Sequence, residues 1–254
     1  MERTRDGIVT HETYDNKSTI DEIREHFDTN VERFSNLETG QVAALDSLVH
    51  MDLLTTAAHA SNPAANHILD LGCGAGNYTL KLLQVFGLSK PLRVTLVDLS
   101  RPMLERAVER IAAAAPNVKI DAVQSDVRDF DFGASRFDVM MAAQCLHHLR
   151  GDEEWEHVFA SVYRGLTPRG SFWIADSLAY HRPAVHRMMW ERWGRHLEAI
   201  DGPAYRDRFF AKVEKEDTPR PLSWQLELMR RVGFAELDVL HVHSRFASFG
   251  GVKP

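Results

Sequence analysis

The order of apolar runs between residues 66 and 176 restricts the fold of this chain more than any other feature. Short apolar runs, each the length of one buried strand, alternate with longer segments whose apolar residues recur at helical spacing. A helical crossover between successive runs predicts parallel strands with helices on both faces of the sheet. The last two runs are joined too tightly for a crossover, so they are predicted to be antiparallel. The predicted strands are 67–71, 92–98, 118–123, 137–142, 171–175, 235–243 and 245–252.

Helical segments flank this alternation. One helix is expected from about Ser18, and a second over 42–60; residues 182–230 are predicted to be helices broken at Gly202-Pro203 and at 218–221. The apolar stripes predicted for the first two helices are Ile23, Phe27, Val31 and Phe34, and Leu45, Leu48, Val49, Leu53 and Leu54. We therefore expect a mobile tail over 1–17, a helical lid over 18–62, and an α/β domain over 63–254 with a helical insert at 182–232.

Composition excludes several classes of protein. Apolar residues make up 44% of the 254 residues, which excludes a disordered chain, and the net charge of −6 argues against a basic nucleic-acid-binding surface. Two cysteines do not form a disulfide framework or a four-thiolate metal site. There is no apolar run of membrane-spanning length and no secretory pattern at the N-terminus. We expect a cytoplasmic monomer or homodimer.

The loop after the first predicted strand, Asp70-Leu71-Gly72-Cys73-Gly74-Ala75-Gly76, points to a nucleoside ligand. Glycines permit positive φ and close approach of the backbone to a ligand, and Asp98, at the end of the next strand, is placed to accept hydrogen bonds from ribose hydroxyls. The spacing differs from the G-x-G-x-x-G of dinucleotide sites. Asp70 would repel a pyrophosphate and favour a ligand with a positively charged amine, which argues against a nicotinamide cofactor.

Four motifs resemble those of class I S-adenosylmethionine (SAM)-dependent methyltransferases: Ile68–Gly76, Val97–Ser100 with Met103, Ser125–Val127 and Leu166–Ser171. The resemblance implies SAM as cofactor, with S-adenosylhomocysteine (SAH) as product. It also implies a Rossmann-like seven-stranded mixed α/β sheet of order 3-2-1-4-5-7-6 with strand 7 antiparallel. In addition, Phe34-Ser35-Asn36-Leu37 resembles a cofactor-contacting segment of the carboxy-SAM synthases, a sister family.

The same resemblance implies roles for individual residues. Asp70 and the glycines would hold the methionine part of the cofactor, Asp98 the ribose, and Asp126 the adenine amine. Leu99 and Met103 would flank the adenine, and the alternative for both is a place in the hydrophobic core. The expected cofactor-binding residues are Phe34, Asp70, Gly72, Cys73, Gly74, Gly76, Asp98, Leu99, Met103, Asp126, Val127, Ala143 and Gln144.

The end of the fourth strand, 142–149, bears on the methyl acceptor. It lacks the Asn/Asp-Pro-Pro-aromatic box of enzymes that methylate planar amides or base amines, and by resemblance this favours a small-molecule acceptor. Because a sulfonium methyl is already activated, direct in-line transfer needs alignment and exclusion of water rather than a metal. His147 and His148 are the candidate proton acceptors, and we expect only one of the two to face the site. The alternative is that neither is catalytic.

The helical insert is expected to cover the acceptor pocket. The predicted substrate-binding residues are Arg33, His147, Trp190, Trp193, Arg208 and Arg245, with arginines suited to a carboxylate. The alternative for Trp190 and Trp193 is a helix–helix core. His241 and His243 share one face of a strand, but the pattern supplies no further ligand, so no metal site is predicted.

The sequence thus predicts a SAM-dependent methyltransferase that acts on a small molecule, with no nucleic-acid or membrane partner. Two alternatives within the fold are a carboxy-SAM synthase and an RNA methyltransferase. Outside methyl transfer, the alternatives are a non-catalytic nucleoside-binding module and a NAD-dependent oxidoreductase.

Overall fold

A computed structural model of the chain describes Tyr14 and residues 16–254. Most of the predicted tail, residues 1–13 and Asp15, lies outside the described residues. Lys17, at the end of that segment, donates hydrogen bonds from Nζ to the backbone oxygens of Glu214 and Asp217.

One seven-stranded sheet forms the centre of the molecule. Its strand order is β3-β2-β1-β4-β5-β7-β6, and β7 runs antiparallel to both of its neighbours, as predicted. The pairs between β1 and β2, β2 and β3, β1 and β4, and β4 and β5 are parallel. The strands are β1 (His67–Leu71), β2 (Arg93–Asp98), β3 (Lys119–Gln124), β4 (Phe137–Ala143), β5 (Leu166–Ser177), β6 (Glu236–His243) and β7 (Phe246–Val252).

Helices cover both faces of the sheet. On one face α4 (Ser47–Ser61), α5 (Asn77–Phe86) and α6 (Arg101–Ala114) pack on alternate strand residues such as Ile68 and Met141. On the other face α7 (Asp152–Gly165) and α9 (Leu222–Val232) pack on residues such as Leu69 and Met140. This alternation explains why each central strand reads as a continuous apolar run.

In place of the first predicted helix the structure has two short helices, α1 (Ile20–Asp28) and α2 (Val31–Ser35), followed by α3 (Leu37–Gly40). We call these three helices the lid; α4, which falls within the predicted lid of 18–62, packs on the sheet instead. The side chains of Thr29 and Asn30 donate to carbonyls of the last turn, Thr29 Oγ1 to Glu25 O at 3.0 Å and Asn30 Nδ2 to His26 O at 2.7 Å. Such side-chain bonds compete with continued helix and end α1 here.

The second predicted helix was placed too early, and its apolar stripe was wrong in part. α4 begins at Ser47 because Asp46 takes a left-handed conformation with φ 55°. Leu48 and Val49 are exposed, whereas Met51, Leu54 and Ala58 are buried. The buried face of α4 is therefore rotated from the predicted one.

The predicted insert forms α8 (Pro183–Glu216) and α9. α8 is bent at Asp201 and Gly202, where the sequence predicted a break. Since α9 packs in the core with α7, α8 is the part of the insert that approaches the site. Within the described part of the chain, no helix combines the length and the apolar character needed to cross a membrane.

Candidate cofactor and acceptor site

A cavity of about 1070 Å³ lies at the carboxyl ends of β1, β2 and β4, under α1 and α2. These residues predicted to bind the cofactor line it: Phe34, Asp70, Gly72, Cys73, Gly74, Asp98, Leu99, Asp126, Val127, Ala143 and Gln144. We call this the first cavity.

The glycine loop borders the cavity, and its three glycines have different roles. All have positive φ: 65° at Gly72, 51° at Gly74 and 83° at Gly76. A Cβ on Gly72 would lie 2.4 Å from Cys145 Cβ, so Gly72 permits the contact between this loop and the end of β4. A Cβ on Gly74 would meet nothing within 4 Å. Gly76 is not part of the cavity wall: a Cβ there would lie 3.1 Å from Ala107 Cβ, so it serves the packing of α5 on α6.

Asp70 presents an unsatisfied carboxylate oxygen at the cavity. Its side chain is buried, and Oδ2 accepts a hydrogen bond from Thr79 Oγ1 at 2.5 Å. Oδ1 is buried and has no partner among the described residues. Burial raises the pKa of Asp70 to about 7, against the effect of the Thr79 hydrogen bond, and nearby Asp98 raises it further. A cationic ligand group would complete this site, since a buried carboxylate is stabilised by an opposite charge. The ammonium group of SAM fits this requirement.

Asp98 closes the loop from the neighbouring strand. Its Oδ2 accepts from Gly74 N at 2.8 Å, and its Oδ1 from Ser100 N at 2.8 Å. Burial raises the pKa of Asp98 to about 6, although these backbone N–H groups favour the charged form. Each carboxylate oxygen keeps further acceptor capacity, which suits the ribose hydroxyls.

The predicted adenine region differs from expectation in two respects. Arg128, which the sequence analysis did not single out, lines the cavity and holds Asp126 with Nη2 2.6 Å from Oδ2 and Nε 2.8 Å from Oδ1. Burial alone would raise the pKa of Asp126, but the hydrogen bonds from Arg128 outweigh burial and hold it below its usual value. Met103 is buried within α6 and is not part of the cavity wall. The sequence did contain a signal for this ion pair, because Asp126 and Arg128 are only two residues apart.

Two hydrogen bonds tie the lid to the helices beneath it. Asn77 Nδ2, at the start of α5, donates to Phe34 O at 2.8 Å. Ser100 Oγ, which caps α6, donates to Asp28 Oδ1 at 2.6 Å. These contacts hold the rings of Phe27 and Phe34, whose centroids are 5.5 Å apart, over the cavity.

A second cavity, of about 850 Å³, adjoins the first and lies between the lid and α8. Four of the residues predicted to bind substrate line it, namely Arg33, His147, Trp193 and Arg245. The other two do not. Trp190 packs against Trp193 and Phe210 and borders a third, outer cavity. Arg208 is exposed and lines none of the cavities described.

The wall of the second cavity also contains residues that the sequence analysis missed. They come from elements distant in the chain, which periodicity does not reveal. They include Gln41, Phe209, Lys212 and Asp217.

The two cavities share part of their walls. Gln144 is one of the shared residues; it follows β4 with φ 53° and donates from its backbone N to Ala175 O at 2.8 Å. A non-glycine residue in this conformation is strained and is held by its surroundings, as often occurs at functional sites. The shared residues are Phe27, Phe34, Gln41, Gln144 and His148.

Both histidines of the pair line the second cavity, contrary to the expectation that only one faces the site. Leu146–His148 is a turn of 3-10 helix, which brings the two rings to a centroid distance of 4.3 Å. His147 Nδ1 pairs with the carboxylate of Asp176, and its Nε2 lies 3.8 Å from Asp217 Oδ1. Burial would lower the pKa of His147, but the two carboxylates outweigh it and raise the pKa to about 9. His147 is therefore a cation at neutral pH.

His148 has the opposite character. Burial, followed by the nearby charge of His147, lowers the pKa of His148 well below its usual value. Its Nδ1 lies 3.3 Å from Glu216 O. Because a carbonyl oxygen only accepts, Nδ1 carries the proton and Nε2 keeps its lone pair. Nε2 is buried and has no partner among the described residues. His148 is thus a neutral imidazole with an unpartnered lone pair on Nε2.

Two sets of side chains bring three potential metal-ligand atoms within 4.8 Å of one another among the described residues: His147, His148 and Asp217, and Asp46, His241 and His243. In the first set His147 already pairs with Asp176 and is protonated. In the second set, Asp46 Oδ2 lies 2.8 Å from both His241 Nε2 and His243 Nδ1. Asp46 is thus the further potential ligand that the sequence pattern of His241 and His243 did not supply.

Comparisons with known proteins agree with this geometry. The family model described as "Methyltransferase domain" matches residues 68–170. The chain is 32% identical over 120 residues to the putative methyltransferase YqeM of Bacillus subtilis, a match that covers 47% of this chain and less than half (45%) of that protein. It is 27% identical over 201 residues to a carboxy-S-adenosyl-L-methionine synthase of Shewanella woodyi, which covers 77% of this chain and 79% of that one.

The fold also has solved counterparts. The structure of Burkholderia thailandensis 1,6-didemethyltoxoflavin-N1-methyltransferase, with bound 1,6-didemethyltoxoflavin and S-adenosylhomocysteine, superposes with a TM-score of 0.61 at 18% identity. The superposition covers 93% of this chain and 91% of that one. At this identity the likeness concerns the fold.

The strand order, the glycine loop with its two acidic partners and the family model over residues 68–170 support a class I SAM-dependent methyltransferase, with SAM as its cofactor.

Proposed function

We propose that this enzyme transfers the methyl group of SAM directly to a small-molecule acceptor bound in the second cavity. The observation that carries the proposal is the wall shared by the two cavities, because it brings a cofactor site and an acceptor site into contact. The second cavity is largely apolar, with Trp193, Phe209, Val213 and Phe246 in its wall. Such a surface suits a compact organic molecule rather than a nucleic-acid backbone.

The residues of the first cavity would hold and orient the cofactor. SAM supplies a methyl group on a positively charged sulfur, and that methyl is activated without help from the protein. The unpartnered oxygen of Asp70 would bind the amine, and Asp98 would bind the ribose hydroxyls. The rings of Phe27 and Phe34 exclude water from the shared wall and attract a nearby cation by a cation–π interaction of about 0.5–2 kcal/mol.

His148 is the group suited to take a proton from the acceptor. Its Nε2 has a free lone pair, and its ring lines both cavities. His147, as a cation between two carboxylates, instead keeps the wall in place: its backbone N donates to Asp176 Oδ2, and its backbone oxygen accepts from Thr218 N at 2.7 Å. General-base assistance of this kind contributes about 10²–10⁴-fold to a rate when the acceptor enters protonated.

An acceptor screen tests the proposal. The purified enzyme is incubated with SAM and a panel of thiols, amines, phenols and carboxylic acids, and SAH release is measured. We expect SAH release that depends on one acceptor class and that follows the concentration of that acceptor. The proposal fails if the enzyme binds SAM, releases no SAH with any small acceptor, and releases SAH with RNA.

A second candidate is a cofactor-modifying reaction of the carboxy-SAM synthase type. The observation that favours it is the match to such a synthase over 77% of this chain. Mass spectrometry of the nucleoside that co-purifies with the enzyme separates the two. A carboxylated SAM would support the synthase, and unmodified SAM or SAH would support the methyltransferase.

A further inference from the structure

Arg245, which directly precedes β7, is a buried cation without a hydrogen-bonding partner for most of its guanidinium group. The residue is 2% exposed, and its Nε and Nη1 have no partner among the described residues. Its Cζ lies 4.4 Å from the ring centroid of Trp190 and 4.5 Å from that of Trp193. The indole rings hold the guanidinium group by cation–π contacts but do not satisfy its N–H donors.

This arrangement destabilises the ligand-free protein. Burying a charged group with unmade hydrogen bonds costs free energy, which cores avoid unless the group has a function. Asp217 and Asp176 act on Arg245 electrostatically, but no carboxylate among the described residues forms an ion pair with it. Burial lowers the pKa of Arg245 only to about 10, so the group stays charged at neutral pH.

The position of Arg245 puts this charge in the wall of the proposed acceptor cavity. Arg245 lines both the second cavity and the third, outer cavity, and Val213 and Asp217 do the same. The second cavity in turn contacts the cofactor site through His148. Arg245 therefore lies in the wall common to the outer cavity and to the cavity that His148 borders.

We propose, on the basis of the function proposed above, that the methyl acceptor carries a carboxylate on an apolar body and that Arg245 binds this carboxylate. Unmade N–H donors of a guanidinium group match carboxylate oxygens. Trp193, Phe209 and Phe246 line the space beside Arg245 and would contact the apolar body. A carboxylate is favoured over a phosphate, because Glu216 and Asp217 in the same wall would repel a dianion more strongly.

Matched probe ligands test this inference without knowledge of the natural acceptor. Binding of a set of aromatic carboxylic acids, of their primary amides and of their phosphonate counterparts is measured by calorimetry with the SAH-saturated enzyme. We expect the acids to bind at least 30-fold more tightly than the amides, because an amide does not neutralise the buried charge. Amides that bind as tightly as the acids, or no binding by any acid, would overturn the inference, and tighter binding of the phosphonates would overturn the choice of carboxylate.

Variants locate the effect. Arg245→Met, which keeps the bulk of the side chain, should lose about 100-fold in acid affinity, and Arg245→Lys should lose about tenfold, since it keeps the charge but not the fork of donors. Arg195→Met, at an exposed position of α8, is the matched control and should bind the acids like the wild type. Unchanged acid affinity in Arg245→Met contradicts the inference.

Thermal unfolding separates a binding role from a structural one. Replacing a buried charge by an apolar residue of similar size is often neutral or stabilising, so Arg245→Met should keep or raise the Tm while it loses acid binding. A lower Tm with unchanged acid binding would assign Arg245 a structural role. Because these assays measure binding, their result is independent of turnover. If the acids bind through Arg245 but SAH is never released, the proposed methyl transfer is wrong, whereas the carboxylate-binding role of Arg245 still holds.

Discussion

At the scale of single residues, Asp70 shows how burial turns a common side chain into a specific binding group. One of its carboxylate oxygens is committed to Thr79, and the other faces the cofactor cavity without a partner. Its raised pKa, about 7, means that the ligand-free carboxylate is partly protonated at neutral pH. Only the ionised form attracts an ammonium group, so cofactor affinity is coupled to pH.

The first prediction concerns this coupling. Between pH 7.5 and pH 6.0 the affinity of the wild type for SAM should fall by roughly eightfold, as the ionised fraction of a group with a pKa of about 7 falls. Asp70→Asn should bind SAM about 10–100-fold more weakly at pH 7.5, because a hydrogen bond to a charged group is lost, and its affinity should vary less over this range. Asp238→Asn, on an exposed strand position, is the control. An unchanged pH profile in Asp70→Asn would contradict the role given to Asp70.

The second prediction separates the two histidines. With an acceptor that enters protonated, such as a phenol or an amine, His148→Gln should lower kcat about 100-fold or more while the KM for SAM stays within twofold. With an acceptor that is already ionised, the loss should be small. His157→Gln, an exposed histidine of α7, should leave kcat unchanged. Equal losses of kcat with both kinds of acceptor would show that His148 acts through packing.

At the scale of secondary-structure elements, the bend in α8 decides where the insert lies. Gly202 has φ 76° and ψ 179°, a conformation that is essentially confined to glycine. A Cβ there would meet nothing within 4 Å, so a substitution would cost backbone strain alone. Trp193 lies before the bend and Phe209 after it, and both line the acceptor cavity. The bend therefore sets the spacing of this wall.

The third prediction tests the bend. Gly202→Ala should lower the free energy of unfolding by about 1–3 kcal/mol, the cost of a residue forced into this region, as measured by urea denaturation. Asp201→Ala, at the neighbouring exposed position with a negative φ, should change it by less than about 0.5 kcal/mol. Similar effects of the two substitutions would show that introducing a side chain at position 202 does not strain the backbone.

At the scale of the whole molecule, the cluster of His147, Asp176 and Asp217 joins three parts of the chain. Asp176 lies in β5, His147 follows β4, and Asp217 follows α8. The folded-state pKa of His147, about 9, is above its unfolded value of about 6.5. Its stabilising contribution is therefore fully present below about pH 6.5 and is lost as the pH rises through about 9.

The fourth prediction follows from that linkage. The difference in unfolding free energy between the wild type and His147→Gln should shrink by up to about 3 kcal/mol between pH 6.5 and pH 10, because the pKa of His147 is about 9 in the folded state and about 6.5 in the unfolded state. Denaturation at several pH values measures it. The exposed His157→Gln is again the control and should show a small, pH-independent difference. A His147→Gln deficit that is constant or that grows with pH would contradict a protonated His147.

The sheet and the cofactor loop were predictable from the sequence because both depend on local rules. Apolar runs separated by helical spacing determine which segments are strands and that they are parallel, and the glycines of 72–76 indicate positive φ wherever the loop lies. Local rules also explain where the structure differs from the prediction. Leu48 and Val49 fit an apolar stripe, but the rotation of α4 on the sheet, set by its neighbours, leaves them exposed. Met103 and Gly76 match motif positions and yet lie in helix packing.

Tertiary structure alone decided the chemistry of the acceptor side. Sequence alone does not distinguish His147 from His148; burial and the approach of Asp176, Asp217 and Glu216 make the first a cation and the second a neutral imidazole. Arg245 likewise becomes an unsatisfied buried charge only when α8 brings Trp190 and Trp193 against it. The strand segments and the loop conformation follow from neighbouring residues, and the resemblance to a known family implied the strand order. Protonation and hydrogen-bond satisfaction depend on groups far apart in the chain, whose positions exist only in the folded molecule.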